Sequence, residues 1–321
     1  MCEISIIIVN WNGAHHLLGC LTSLIEQTFR DFEIIIVDNG SSDNSVSYIR
    51  DNFPQVRLVC LDHNRGFTGG NLAGYEVAQG RFIALLNNDT RVEQSWLEKM
   101  LEAMQSDRGV GICASRIVID GTDLIDSIGD LFTTAFSGTK VGHLKPKKQY
   151  DRPHHVHGGC AAAILYRRSM LDEIGFLDDD FFFNHEDTDL NLRAWLCGWK
   201  CMYVPEAIVY HKVSATVGEL SDMAVYHFSR NTVWVWLKNV PLSLMIRFLP
   251  HRLAYELSSA VYFCGNGKWR AYLCGKWDAI RSFRHMWRKR ASIQRLIKLQ
   301  HDHICRGLVP IWSYLLSRLQ K

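Results

Sequence analysis

The segment RFIALLNNDTRV, from Arg81 to Val92, places an apolar run directly before a polar cluster. Residues 82–86 are short, apolar and bounded by polar residues, which is typical of a buried strand. Asn87, Asn88 and Asp89 follow without a spacer. Amides and carboxylates also build ordinary turns. The segment therefore predicts a buried strand that ends either in a turn or at a ligand.

Three more segments resemble this strand, and helical patterns lie between them. The predicted strands cover residues 4–9, 32–37, 56–61 and 82–86. The predicted helices cover residues 17–27, 45–52, 70–79 and 95–105. Strand and helix alternate four times, which predicts an α/β fold with a doubly wound, mostly parallel sheet.

Polar clusters follow three of these strands, at Asn10, at Asp38 and at residues 87–89. In doubly wound sheets, ligands bind at the carboxyl ends of the strands. One such cluster alone indicates a turn more readily than a site. Three clusters at three strand ends favour a ligand site at one edge of the sheet.

The glycine-rich segment HNRGFTGGNLAG, residues 63–74, follows the third strand. Gly66, Gly69 and Gly70 let backbone approach a ligand closely, and the guanidinium of Arg65 suits a phosphate. The spacing matches neither a P-loop nor a dinucleotide fingerprint. A plain glycine turn is therefore an equal alternative.

The segment FFFNHEDTDLNLRAWLCGW, residues 181–199, carries Glu186, Asp187 and Asp189 after an aromatic run. Asp189 and Arg193 stand four residues apart, which predicts an ion pair on one helix. Acids at a helix N-terminus are favoured by the helix dipole, so a plain charged helix start is one interpretation. A general base is the other, and three acids beside aromatic residues favour it.

His211 ends another apolar run, in the segment VPEAIVYHK. A lone histidine is more often structural than catalytic. A metal ion held by Asp89 would change this interpretation, because His211 could then complete a site of oxygen and nitrogen ligands.

Charge divides the chain of 321 residues into two parts. Residues 226–321 carry 17 Lys and Arg against 3 Asp and Glu, and residues 1–225 carry 19 against 30. This difference predicts a domain boundary, with units at 1–225 and 226–321. The ten cysteines form no CxxC pair, and the start lacks a basic segment typical of secretion signals. Both features predict a reduced, cytoplasmic protein.

Six of the ten tryptophans lie in the basic part. Tryptophan and arginine on amphipathic helices predict peripheral contact with the inner face of the cytoplasmic membrane. A helical domain with a solvated basic face is the alternative, and oligomerisation is a third possibility. Pro241 and Pro250 are predicted to separate short helices. Nucleic-acid binding would rest on the basic residues and their aromatic neighbours alone, so we expect no nucleic-acid partner.

Taken together, the motifs form an ordered set that resembles the family 2 glycosyltransferases, which are inverting, nucleotide-sugar-dependent enzymes with the GT-A fold. The resemblance covers roughly residues 4–215 and is strongest to bacterial rhamnosyltransferases and galactofuranosyltransferases. It rests on the segments SIIIVNWNG, IIIVDNGSSDNS, NRGFTGGNLAG, ALLNNDTRV, HGGCAAAILYRRSML and FNHEDTDLNLRAWLCGW, followed by YHK. The expected fold is thus a GT-A-type sheet followed by a C-terminal helical region.

The resemblance also implies a role for each motif. Asp187, in the family's ED motif, would be the general base. Asn87-Asn88-Asp89 looks like the DxD motif that holds Mg²⁺ or Mn²⁺, with Asn87 in place of the first aspartate. The implied metal ligands are Asp89, His211 and Asn87. The implied nucleotide-binding residues are Asn10, Asp38, Arg65, Gly66 and Asn88. The implied acceptor-binding residues are His157, Gly158, Gly159, Glu186 and Asp189.

The implied reaction is the inverting transfer of a sugar from a nucleotide sugar to a hydroxyl of a growing, lipid-linked bacterial surface glycan such as an O-antigen. L-Rhamnose from dTDP-rhamnose is the first expectation. A UDP-hexose or UDP-galactofuranose transferase is the alternative, and a non-catalytic nucleotide-sugar-binding protein is a weaker one. The sequence does not predict the acceptor linkage or the oligomeric state.

Overall fold

The fold was analysed in a computed structural model that describes residues 2–212 and 220–312. The strands are β1 (Ile4–Asn10), β2 (Phe32–Asp38), β3 (Arg57–Cys60), β4 (Phe82–Leu86), β5 (Thr90–Val92), β6 (Val110–Ile119), β7 (Ile125–Ser127), β8 (Asp130–Phe132), β9 (Gly138–Lys140), β10 (His154–Val156), β11 (Ala163–Arg167) and β12 (Lys200–His211). The helices are α1 (Ala14–Ile25), α2 (Ser45–Asn52), α3 (Gly66–Val77), α4 (Trp96–Ser106), α5 (Arg168–Ile174), α6 (Glu186–Leu196), α7 (Asp222–Asn239), α8 (Leu242–Gly265), α9 (Trp269–Arg281), α10 (Phe283–Leu296) and α11 (His301–Gly307).

A ten-stranded sheet forms the centre of the protein, with the main order β10-β12-β6-β11-β4-β1-β2-β3. Strands β1 to β4 pair in parallel, and so do β6 and β12. Strand β11 lies antiparallel between β4 and β6. The prediction of a largely parallel α/β sheet is confirmed. The alternation of strand and helix did not reveal β11, because this strand follows a long segment of short strands and loops.

Both faces of the sheet are covered, which explains why its central strands are mostly apolar. Ile6 and Ile8 of β1 belong to an apolar cluster that also contains side chains of α1 and α4. Ile7 belongs to a second cluster, with side chains of α3, α5 and α6. Successive residues of a strand point to opposite faces, so a strand buried on both sides needs an unbroken apolar run.

Helix α3 begins earlier than predicted and contains most of the glycine-rich segment. A Cβ at Gly70 would collide with the side chain of Val9, and one at Gly74 would collide with Ile7. Both contacts lie on β1, four residues apart along α3. Neither alternative considered for this segment, a plain glycine turn or a close approach to a ligand, describes Gly70, which instead allows a helix to lie close against the sheet.

The C-terminal helices share a core with the preceding part of the chain. One apolar cluster contains Phe132, Phe181 and Trp195 together with Trp234 and Val235 of α7. The predicted boundary between residues 225 and 226 falls inside α7.

One predicted break is absent from helix α8. Pro241 precedes this helix, as predicted, but Pro250 lies inside it. Pro250 is exposed, so water can satisfy the carbonyl that loses its N–H partner. Within residues 2–212 and 220–312, no helix is both long enough and apolar enough to cross a membrane.

Candidate active site

The polar clusters after β1, β2 and β4 meet at one edge of the sheet. Strand β1 places Asn10 beside Asp38 in register. The fully buried Asn10 donates from Nδ2 to Asp38 Oδ1 at 3.3 Å, and its Oδ1 accepts from Asn88 Nδ2 at 2.8 Å. The backbone N–H of Ser41 donates to Asp38 Oδ2 at 3.0 Å. The structure therefore brings together three of the residues expected around the nucleotide.

Arg65 and Gly66 join this edge through Asn39. The side chain of Asn39 accepts from the Arg65 N–H at 2.9 Å and donates to the Gly66 carbonyl at 2.9 Å. Gly66 has a φ of +73°, and a Cβ there would collide with the carbonyl oxygen of Phe182. The expectation that Gly66 leaves room for a ligand needs correction, because the backbone of Phe182 fills the space beside this glycine.

Replacing Gly66 with alanine should lower the free energy of unfolding by about 2 kcal/mol or more. Alanine has to adopt the left-handed conformation, and its methyl group meets a backbone carbonyl that cannot rotate away. Chemical denaturation measures the effect. Gly19→Ala is the matched control, since it adds a methyl group where no atom lies within 4 Å. Equal stability of the two variants would contradict this account of the glycine.

Asp89 and His211 face each other at the ends of β4 and β12. His211 Nε2 lies 3.4 Å from Asp89 Oδ1, and Nδ1 lies 3.1 Å from Asp126 Oδ2. A carboxylate only accepts, so Nδ1 carries a proton and Nε2 points toward Asp89 and Asn87. The Asn87 amide lies 3.5 Å from Nε2. The three residues expected at the metal are therefore neighbours.

The electrostatics of this cluster suit a cation. Burial would lower the pKa of His211, but the contacts with Asp126 and Asp89 outweigh it and raise the pKa to about 9. Burial would raise the pKa of Asp126, but His211 and Lys140 hold it well below its usual range. The negative charge of Asp89 and Asp126 is thus concentrated around His211.

The surroundings of Asp89 show whether these residues suit a divalent metal ion. The buried Oδ1 of Asp89 accepts no hydrogen bond of good geometry among the described residues and meets His211 Nε2 only at 3.4 Å, so this oxygen is available to a ligand. Oxygen from Asp89 and Asn87 and nitrogen from His211 form a donor set that Mg²⁺ or Mn²⁺ accepts. Across residues 2–212 and 220–312, no three His, Cys, Asp or Glu side chains converge on one metal position. The remaining ligands would have to come from a bound diphosphate or water.

Asp187 lies in the first turn of α6 and is half-buried. Its Oδ2 accepts from the Ala161 N–H at 3.3 Å, and its Oδ1 accepts from the Thr188 N–H at 2.6 Å. Burial raises the pKa of Asp187 against the opposing effect of these N–H groups. A carboxylate with a raised pKa is a better proton acceptor near neutral pH.

One loop connects Asp187 with the residues around Asp89. The N–H of Asn87 donates to the Ala162 carbonyl at 2.9 Å, and the next residue back, Ala161, donates to Asp187. The expected base and the expected metal ligands thus lie on the same edge of the sheet. Strand β4 thus ends in polar residues at the edge where the other candidate site residues lie.

Glu186 is buried beside Asp187, and its Oε2 has no hydrogen-bond partner among the described residues. Burial, and then the charge of Asp187, raise the pKa of Glu186 to about 8. The raised pKa favours the protonated form of Glu186, which can donate a hydrogen bond. A role in binding the acceptor stays a prediction.

Asp189 does not fit the expected place in the acceptor site. The carboxylate is fully buried and pairs with Arg193 at 3.0 Å, as the i,i+4 spacing predicted. Lys238 Nζ at 2.9 Å and Asn239 Nδ2 at 2.8 Å also contact this carboxylate, at Oδ1. These two partners belong to α7, so Asp189 joins α6 to α7.

The glycines after β10 also have a different role from the expected one. A Cβ at Gly158 would collide with the side chain of Asn191 on α6, and one at Gly159 would meet Ile164. The space that these glycines leave is filled by protein, so they do not open an acceptor pocket. His157 stacks between Phe132 and Trp195, with ring centroids at 5.6 and 4.3 Å. Its burial lowers the pKa to about 4.

Sequence reasoning missed two acids near the site. Asp126 lies on the short strand β7 and fixes His211. Asp130 begins β8, and burial, reinforced by the charge of Asp187, raises its pKa to about 7. Both lie in a segment with little periodicity, so only the folded arrangement identifies them.

Comparisons with known proteins extend this picture. The model of the family named "Glycosyl transferase family 2" matches residues 5–175. An uncharacterized glycosyltransferase of Nostoc sp., alr2836, is 34% identical over 124 residues, which is 38% of each chain. The N-acetylglucosaminyl-diphospho-decaprenol L-rhamnosyltransferase of Mycobacterium tuberculosis is 25% identical over 260 residues, covering 70% of this chain and 81% of that one. The present chain thus spans less than two thirds of the length of the first of these relatives.

A solved structure supports the fold. The crystal structure of GalNAc-T7 with UDP, GalNAc and Mn²⁺ aligns with a TM-score of 0.63 and 17% identity. The alignment covers 81% of this chain and 51% of that one. At this identity the likeness concerns the fold alone, and it confirms the expected GT-A-type architecture. Since the family model covers more than half of the sequence, the chain belongs to glycosyl transferase family 2.

Proposed function

We propose that the protein is an inverting glycosyltransferase that moves a sugar from a nucleotide diphosphate sugar to a hydroxyl of a bacterial surface glycan. The observation that carries this proposal is the common edge of the sheet. There one loop, residues 160–162, connects the half-buried carboxylate of Asp187 with Asn87 and its neighbour Asp89. A base on one side of a sugar and a cation site on the other side suit a single displacement with inversion.

The nucleotide would lie over the ends of β1 and β2. The carboxylate of Asp38 can accept a hydrogen bond from an N–H of a pyrimidine base, because Asn10 and Ser41 hold it in place. Asn88 would support Asn10 from the other side. The guanidinium of Arg65 would carry a charge suited to the phosphates.

The cation site would consist of Asp89, His211 and Asn87, with Asp126 fixing the ring of His211. A divalent cation bound there would neutralise charge on the departing diphosphate. Asp89 would contribute Oδ1 as a ligand. His211 would release a proton from Nε2 when the cation binds.

Asp187 would remove the proton from the acceptor hydroxyl during attack on the anomeric carbon. The N–H groups of Ala161 and Thr188 orient its carboxylate, and burial strengthens it as a base. Glu186 beside it, whose raised pKa favours the protonated form, would donate a hydrogen bond to the acceptor.

We assign L-rhamnose from dTDP-rhamnose as the donor and a lipid-linked glycan as the acceptor. The mycobacterial relative supports both choices, since its name describes rhamnose transfer to a decaprenol-linked sugar. A UDP-hexose or UDP-galactofuranose donor is the second candidate. The lipid-linked acceptor would bring the protein to the inner face of the cytoplasmic membrane.

Donor hydrolysis and binding across a panel of dTDP- and UDP-sugars tests this proposal. Each sugar is measured with Mg²⁺, with Mn²⁺ and with EDTA. Metal-dependent turnover of dTDP-rhamnose is the expected result. Turnover of UDP-sugars alone would replace the donor and keep the mechanism. Binding without turnover in the presence of acceptor glycans would favour a non-catalytic nucleotide-sugar-binding protein.

Replacing Asp126 with asparagine should weaken Mn²⁺ binding in the presence of nucleotide by about 10- to 100-fold. The amide cannot hold the protonated Nδ1 of His211 as firmly as the carboxylate does at 3.1 Å. Paramagnetic resonance of free Mn²⁺ measures the affinity without any turnover. Asp120→Asn changes an exposed aspartate at 3.9 Å from Arg91 and is the control. Unchanged affinity in the Asp126 variant would contradict the assigned position of the cation.

A further inference from the structure

Helix α8 carries an apolar stripe on its exposed side. Ile246 is 70% exposed, Leu253 60% and Leu257 68%. The spacing of three or four residues places the stripe on one side of the helix. The stripe consists of Leu242, Ile246, Leu249, Leu253, Leu257 and Val261. The opposite side of α8, with Leu244, Phe248 and Tyr255, is buried against the protein. Helix α8 is therefore apolar on both of these sides, which an ordinary surface helix is not.

Helices α9 and α10 carry exposed apolar side chains of their own. Helix α9 follows α8 after residues 266–268 and packs against it. The exposed apolar side chains of α9 and α10 include three tryptophans. They are Trp269, Leu273, Trp277, Ile280, Phe283 and Trp287. Three consecutive, mutually packed helices that each expose large apolar side chains favour an interaction site over an ordinary solvated surface.

The charges around the stripe have one sign. From residue 242 to residue 295 the only acids are Glu256 and Asp278. Both are half-buried and bonded: Glu256 contacts Lys276 and Arg252, and Asp278 accepts from the Tyr226 hydroxyl at 2.7 Å. The exposed arginines form no ion pair with an acid in the described part of the chain. They are Arg247, Arg270, Arg281, Arg284, Arg288 and Arg295.

From this surface we infer that α8, α9 and α10 dock onto an anionic lipid bilayer, lying in its interface with the stripe inserted among the lipids. Anionic headgroups supply the negative charge that the arginines lack, and tryptophan suits the boundary between headgroups and acyl chains. A second copy of the chain fits less well. Pairing two such surfaces would bring arginines together with no exposed acid between them.

This inference specifies the membrane location given under the proposed function, and it rests on that part of the proposal. It does not depend on which sugar is transferred. Vesicle binding of the full chain, measured without donor or acceptor, tests it separately. The vesicles are phosphatidylcholine, either pure or with about a quarter phosphatidylglycerol. We expect co-sedimentation with the anionic vesicles that falls as salt rises, and much weaker binding to the neutral ones.

Leu253→Glu combined with Leu257→Glu should weaken binding to anionic vesicles on the order of a hundredfold, because two leucines no longer insert. Leu18→Glu combined with Leu144→Glu is the control. It makes the same charge change at two exposed leucines outside the C-terminal helices and should keep wild-type binding. Arg284→Gln combined with Arg288→Gln should weaken binding to anionic vesicles roughly thirtyfold and leave binding to neutral vesicles unchanged.

Three results would overturn the inference. The wild-type chain could fail to sediment with anionic vesicles. The two leucine variants could lose binding equally, which would make net charge alone responsible. Light scattering could show a dimer that the Leu253 and Leu257 changes dissociate, with no vesicle binding, which would assign the surface to a second copy. A wild-type chain that turns over the donor but does not bind vesicles would contradict this inference alone. A chain that binds anionic vesicles but does not turn over any donor would contradict the proposed reaction alone.

Discussion

Asp187→Asn should lower the rate of sugar transfer by between about a hundredfold and ten-thousandfold, the range that a general base contributes. The amide has nearly the shape of the carboxylate but cannot accept the proton of the acceptor hydroxyl. The proposed donor site, around Asp38 and Asp89, does not include Asp187 and is expected to stay intact. Donor affinity, measured by calorimetry with Mn²⁺ present, should therefore remain close to that of the wild type.

Two controls make this result specific. Asp172→Asn makes the same chemical change at an exposed aspartate on α5 and should leave the rate unchanged. Thermal unfolding of the Asp187 variant shows whether it folds, since its new amide has to meet the Ala161 N–H. A folded variant with wild-type transfer would exclude Asp187 as the base. A folded variant that no longer binds donor would place Asp187 in the donor site instead.

Asp189→Asn should lower the free energy of unfolding by about 3–5 kcal/mol, the typical cost of breaking a buried ion pair by removing one partner. The carboxylate lies between Arg193 on its own helix and Lys238 on α7. A neutral amide would leave excess positive charge inside the protein, and its NH₂ group would face other donors. Urea unfolding followed by circular dichroism measures the loss.

Asp107→Asn is the matched control for this prediction. Asp107 pairs with Lys200 at 2.7 Å, a shorter contact than the 2.9 Å between Asp189 and Lys238, but both partners are exposed. Exposed pairs are screened by water and contribute little. The control should therefore unfold like the wild type. If both variants lost the same stability, distance rather than burial would govern these pairs.

The central sheet was predictable from sequence because its strands are buried on both faces. Ile4 to Asn10 and Phe82 to Leu86 are apolar runs that end sharply at polar residues, and the structure places both strands side by side in the sheet. The meeting of Asn10, Asp38 and Asn88 followed from the same logic, since parallel strands bring their carboxyl ends together. These predictions needed only local patterns and one topological rule.

The errors share a different physical origin: they concern groups whose roles depend on a distant partner. Gly66 and Gly158 were assigned to ligands, but their missing side chains make room for Phe182 and Asn191. Asp189 was assigned to the acceptor because its partner Lys238 lies 49 residues away. A sequence shows that a glycine or an acid is present, but not which side chain fills the adjacent space.

The core shared by α6 and α7 has a consequence for the order in which the protein matures during synthesis. Chains leave the ribosome from the N-terminus, and early parts begin to fold first. Strands β1 to β4 and helix α6 thus emerge before α7. Until Trp234 and Lys238 follow, the apolar cluster that contains Trp195 lacks its members from α7, and Asp189 lacks a cation from α7. The helix that carries Asp187 is therefore expected to reach its native packing late in biosynthesis, only after the C-terminal helices have been made.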